Sequence, residues 1–68
     1  MAISAKRTRL RVFTKKIPMA DIAERCDTSR AWVEAILNGR YQGPASQEWL
    51  VRISQAVEDI IEERKVIG

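Results

Sequence analysis

Two short apolar stripes of helical period stand on either side of Asp27-Thr28-Ser29, and this arrangement constrains the fold more tightly than anything else in the chain. Ile22, Ala23 and Cys26 fall at i, i+1 and i+4, while Val33, Ile36 and Leu37 fall at i, i+3 and i+4, so each segment offers one apolar face to a neighbour. The three residues between them stop one helix and start the next. Asp tolerates the left-handed backbone of a tight turn, and the Thr and Ser hydroxyls accept hydrogen bonds from the free N–H groups of a first helical turn. Asn38-Gly39 supplies a second stop, because Gly takes the left-handed position after a helix without steric cost.

Helix, tight turn and capped helix at this spacing resemble the helix-turn-helix of the lambda-repressor-like family of phage and bacterial regulators. Ala23 stands where that family has a small Ala under the crossing of its second helix. Ile22, Cys26, Val33 and Ile36 match its apolar core positions, and Asn38-Gly39 matches its ending. Asp27 replaces the family's usual Gly, and Met19 replaces a Gln that helps bind a phosphate. Leu10, Phe13 and the helix after Ser46 fall where flanking helices belong. The resemblance implies an all-α fold, a small bundle of about four helices containing the helix-turn-helix, with double-stranded DNA as partner. It also implies a sequence-specific transcriptional regulator of the phage or mobile-element kind, a repressor working by occupancy as a homodimer on a two-fold related operator. The alternative is a protein-binding module, an adaptor or antirepressor that pairs with another regulator through the apolar and acidic last helix.

By the same resemblance the exposed positions of the second helix of the motif are Arg30, Ala31, Glu34 and Ala35. Arg30 can donate two hydrogen bonds to guanine O6 and N7, Glu34 can accept from cytosine N4, and the two alanines let the helix approach thymine methyls. Each has a plainer reading: Arg30 on a phosphate, Glu34 paired with Arg30 or Asn38, the alanines as good helix formers. Ser29, Asn38, Arg40 and Tyr41 are where related proteins clamp phosphates, and the helix dipole favours an anion at the Ser29 end. Trp32 flanks this face and is expected to pack against the Tyr41 loop or the last helix, with Trp49 and Phe13 in the core.

Charge is distributed unevenly around a net of +3. The first sixteen residues hold Lys6, Arg7, Arg9, Arg11, Lys15 and Lys16 and no acid, whereas Glu48, Glu58, Asp59, Glu62 and Glu63 outnumber the bases after Ser46. A basic N-terminal segment suits a polyanion, since each neutralised phosphate releases condensed counterions, and Arg7 and Arg9 join the expected DNA contacts. A solubilising terminus is the plainer account of the same charges.

Length and residue types bound the remaining possibilities. Residues 1–68 are expected to form one domain with a modest core, for which a partner chain is a reasonable supplement. No apolar run is long enough to span a bilayer, and basic and apolar residues intersperse without a leader pattern, so a cytoplasmic protein without membrane association is expected, nucleoid-associated when bound. With no His and a single Cys the chain lacks the usual zinc ligands, and no cofactor is expected. Cys26 reads as a small buried apolar residue, a reactive thiol being the alternative. An enzyme is not expected: the acids lie on solvated faces with no paired-carboxylate site and no Gly-rich phosphate loop, and a chain this small has no room for a small-molecule substrate.

Breakers divide the rest. Leu10, Phe13 and Ile17 at i, i+3 and i+7 predict a first helix from about Ser4 to Lys15, although the alternation of Leu10-Arg11-Val12 also suits a strand. Pro18 starts the second helix, and the third runs from about Ser29 to Asn38. Arg40 to Ala45 is rich in turn formers and reads as a loop, with Ser46 as the N-cap of a long fourth helix and Glu48 near its positive end. In that helix Trp49, Leu50, Ile53, Ala56, Val57, Ile60 and Ile61 recur at threes and fours. So many apolar residues suggest that Ile60, Ile61, Val66 and Ile67 meet their counterparts across a two-fold axis, rimmed by Glu62 and Glu63 with Arg64 and Lys65 pairing across it; a monomer until DNA joins two copies is the other reading.

Overall fold

The computed structural model describes residues 3–67, with side chains up to Lys65. Four helices follow one another: α1 Ala5–Thr14, α2 Met19–Arg25, α3 Arg30–Leu37 and α4 Ser46–Ile67. No strand occurs among the described residues, so the Leu10–Val12 alternation lies within α1 and the chain is an all-α bundle, as expected. Both α3 and α4 touch all three other helices, which leaves α3 at the centre of the molecule with one face turned outward.

The first three helices end by one device. After each, a residue with positive φ (Lys16 at 53°, Asp27 at 54°, Gly39 at 73°) reverses the chain. Two backbone bonds close each turn: Lys16 N–H to Phe13 O (3.2 Å) with Ile17 N–H to Val12 O (3.0 Å), Asp27 N–H to Glu24 O (3.2 Å) with Thr28 N–H to Ala23 O (2.9 Å), and Gly39 N–H to Ile36 O (3.3 Å) with Arg40 N–H to Ala35 O (2.9 Å). These are Schellman closures, which occupy carbonyls that the helix end otherwise leaves without partners. Gly tolerates this backbone, Asp tolerates it better than most residues, and Lys has no such preference. Lys16→Gly is therefore expected to raise stability by about 0.5–1 kcal/mol, the relief of steric strain partly offset by the entropy of glycine, and Asp27→Gly by less. Thermal unfolding checks this; a loss at Lys16 would mean that the side chain contributes more than its backbone costs.

The helix starts are equally local. Ser4 Oγ accepts from Arg7 N–H at 3.3 Å, capping α1, and Pro18 precedes α2 as its N-cap residue. Ser46 departs from expectation: it lies within the first turn of α4, its N–H bonded to Gly43 O at 3.1 Å, so it is not a side-chain cap. Glu48 does stand in that first turn, near the positive end of the helix dipole.

Ile22, Val33, Ile36, Leu37, Ile53 and Val57 form the driest part of the core, each with under 2% of its surface exposed. Burial of each such side chain stabilises the fold by about 1.5–3 kcal/mol. Helix α1 enters this core by a different face from the one its apolar spacing suggests. Val12 and Thr8 are buried, whereas Leu10 is 54% and Phe13 83% exposed. Thr8 can occupy a core position because its hydroxyl donates to Ser4 O at 3.1 Å, and Val12 is held inward by the turn that brings buried Ile17 back onto it. Trp49 is half-buried at the edge of the core and not within it.

The distal part of α4 also departs from expectation. Ile60 and Ile61 are 6% and 7% exposed within the single chain, so its own helices already cover them and they are not left for a partner. Polar groups near them are engaged in the same chain. Arg25 Nη1 donates to Glu63 Oε2 at 2.7 Å, Arg64 donates to the carbonyls of Lys15 and Lys16, and Lys65 lies 3.5 Å from Glu62. Val66 and Ile67, also expected at a dimer axis, lie outside the residues whose side chains are described. The hydrogen bond between Arg25 and Glu63 holds the carboxyl below its ordinary value and the guanidinium above its own. Because the Glu63 value is lowered on folding, its small contribution is present above the ordinary carboxylate range and fades as the pH falls through and below that range.

Candidate nucleic-acid interface

Helix α3 begins at Ser29, whose Oγ accepts from Trp32 N–H at 3.1 Å, and ends at the Asn38-Gly39 turn. Val33, Ile36 and Leu37 hold its inner side in the core, which fixes the rotation of the helix and so decides which residues face outward. Of the residues expected to meet DNA, Ser29, Arg30, Ala31, Asn38 and Arg40 are exposed, and Glu34, Ala35 and Tyr41 are half-buried. The outward face is therefore shallow at Ala31 and Ala35, with longer polar side chains beside them.

Two contacts tie polar groups of this face together. Arg30 Nε lies 3.7 Å from Glu34 Oε1 one helical turn on, a loose pairing of an exposed guanidinium with a half-buried glutamate. Arg9 Nη1 donates to Asn38 Oδ1 at 3.1 Å, so α1 brings a guanidinium to the end of α3 across 29 positions of sequence. Arg7 is not brought there. It stands on the other flank of α1, beside a groove shared with Arg11, Ser54 and Glu58, where Arg11 pairs with Glu58 at 2.9 Å.

The loop after α3 rests on an aromatic cluster. Tyr41 lies against Trp32 with ring centroids 4.9 Å apart, Trp32 meets Trp49 edge-on at 5.8 Å, and the Arg52 guanidinium sits 5.2 Å from the Trp49 ring centroid. Trp32 thus packs against both the Tyr41 loop and α4, the two alternatives its position on α3 allowed. Gly43 lies against the cluster: a Cβ at that position would overlap the Tyr41 phenol, so a larger residue requires the ring to shift. Arg40 and Tyr41 are in this way held at a fixed height beside the end of α3. Sequence spacing does not point to the Arg9–Asn38 bond, which joins elements distant in the chain, whereas Arg52 and Trp49 stand one helical turn apart on α4.

Cys26 is buried beneath the turn between α2 and α3, and burial pushes its thiol pKa up against a weaker opposing effect of Arg52. A raised thiol pKa means little thiolate, the form that reacts, at neutral pH. Among the described residues no group of three or more His, Cys, Asp or Glu is placed to hold a metal ion, and no helix is long and apolar enough to cross a membrane.

Comparison of the chain with protein-family models, with curated proteins and with solved structures finds no match.

Proposed function

We propose that this chain is a sequence-specific double-stranded DNA-binding regulator whose α3 is the reading helix of a helix-turn-helix, with α2 lying across the backbone. The observation that carries the reading is the outward face of α3. It is a short, capped helix, clear of bulky side chains at Ala31 and Ala35, with Arg30 at its start and Asn38 and Arg40 at its end, alongside Arg9 from α1. A major groove admits one helix and is read from its N-terminal residues.

Arg30 then reads guanine, releasing its loose contact with Glu34, and Glu34 becomes available to a cytosine amino group. Ser29, Asn38, Arg40 and Tyr41 contact phosphates, and Arg7 and Arg9 add charge from α1. Two copies occupy related half-sites and meet on the duplex, and repression follows from occupancy of the site. Pairing with another regulator through α4 is the competing reading; Ile60 and Ile61 are covered within the chain, and Val51, 52% exposed, is the large apolar side chain that α4 offers among the described residues.

Binding measured against salt tests the reading. Affinity for duplex DNA is expected to fall steeply as salt rises, and neutralising Lys6, Arg7, Arg9 and Arg11 together is expected to flatten that dependence by about one unit for each phosphate contact removed. A slope near zero in the wild type would remove DNA as the partner, and an unchanged slope in the variant would leave the basic segment as a solubilising terminus. Arg30→Ala is expected to weaken binding to the preferred site by about 1–3 kcal/mol and to relax the choice at one base pair. Equal losses on preferred and random duplex would make Arg30 a phosphate contact only.

A further inference from the structure

Helix α1 turns an apolar strip away from the core. Lys6, Leu10 and Phe13 follow at i, i+4 and i+7, and Arg9, Phe13 and Lys16 are spaced in the same way, so two large apolar side chains stand in a frame of cations. Beside them, between α1 and the start of α2, runs a groove of about 390 Å³ floored by Val12, Ile17 and Met19 and bounded by Phe13, Arg9 and Lys16. Phe13, at 83% exposure, is the most exposed large apolar residue of the described chain. Nothing in the fold uses it.

We infer that this face of α1 is a docking site for an acidic segment of another protein, one that seats a leucine-like or aromatic anchor in the groove against Phe13 and Met19 while its carboxylates meet Lys6, Arg9 and Lys16. Charge complementarity selects this occupant. All six charged residues in the first sixteen positions are basic, and Lys6, Lys15 and Lys16 form no ion pair among the described residues. A second copy fits less well. Two apolar side chains with one groove are small beside the ~800 Å² per partner that a stable dimer buries. A lipid surface also fits less well, because the other face of this ten-residue helix is committed to the core, leaving little apolar area to insert. The site shares Lys6 and Arg9 with the DNA-binding reading, while its apolar part, Leu10, Phe13 and the groove beside them, plays no role in that reading.

The test is selection on the full-length protein from a display library of random helical peptides, followed by affinity measurement of the recovered peptides with wild type and with Phe13→Ser. Recovered sequences are expected to combine Asp or Glu with Leu, Phe or Trp at helical spacing, and to lose about tenfold in affinity to the variant. Amide shifts on binding should fall on residues 6–19. The exposed position of Phe13 predicts unchanged thermal unfolding for the variant, and Leu10→Ser provides a second substitution on the same face should Phe13→Ser unfold. The proposal is overturned by recovery of no peptide, by recovery of peptides without the acidic and apolar pattern, or by affinities indifferent to both substitutions. Three parallel measurements on the same variants name what would replace it. Tighter Phe13-dependent binding to phosphatidylserine vesicles than to any peptide would make the face a lipid site, Phe13-dependent self-association in sedimentation would make it a dimer surface, and loss of duplex DNA affinity in Phe13→Ser would place it in the nucleic-acid interface.

Discussion

Ile53→Ala is expected to remove about 2–5 kcal/mol of stability, the range for truncating a large aliphatic side chain in a well-packed core. Ile53 is fully buried near the middle of α4, the helix on which α1, α2 and α3 all pack. The removed methyl groups lose their transfer free energy, and the cavity left behind can collapse only if several elements move together. A core of this size rarely supplies more than about 3–5 kcal/mol in total, so the variant should be largely unfolded at room temperature. Urea titration followed by helical circular dichroism checks the value. Leu10→Ala in parallel should change stability by under about 0.5 kcal/mol, since its side chain is exposed. Similar effects at the two positions would mean that α1 packs by the face that its apolar spacing first suggests.

Ala31→Glu is expected to abolish DNA binding while leaving the fold intact or slightly more stable. Ala31 is exposed in the first turn of α3, where a carboxylate is favoured by the helix dipole by about 0.3–1 kcal/mol. Against a duplex the same carboxylate faces phosphates and base-edge acceptors, and like-charge juxtaposition of this kind costs several kcal/mol, a loss on the order of a hundredfold or more. Opposite signs for stability and binding make the substitution informative. It is read by fluorescence titration with duplex DNA beside thermal unfolding of the same sample. Retained binding would move the contact surface off α3.

What the sequence could reveal was decided by how local each interaction is. The turn at Asp27-Thr28-Ser29 and the stop at Asn38-Gly39 were legible because capping hydroxyls and left-handed conformations are preferences of the residues themselves. Lys16 makes the same kind of turn after α1 and was not legible, since lysine has no leaning toward positive φ; the turn is held there by its two backbone bonds and by burial of Ile17. The buried face of α1 is concealed for a related reason. Apolar spacing favours Leu10 and Phe13, but a threonine with its hydroxyl bonded to the backbone takes a core position that an apolar count overlooks.

Tertiary partners were the harder part. Ile60 and Ile61 were expected to exceed what a small chain can cover, and α4 instead finds enough surface on the other helices to bury both. In the candidate interface, the outward positions of α3 come from the resemblance, with Arg30 and Ala31 exposed and Glu34 and Ala35 half-buried, whereas the meeting of Arg9 with Asn38 depends on how α1 crosses α3, which spacing along the chain does not encode.

Selection of duplexes from a random pool, by the wild type and by Ala31→Glu in parallel, tests most directly the claim that α3 reads DNA. The account predicts that the wild type enriches one short motif, present as two inverted copies separated by about one helical turn or a multiple of it, and that the variant enriches none. A wild type that enriches no motif, or a variant that recovers the same motif, would contradict it.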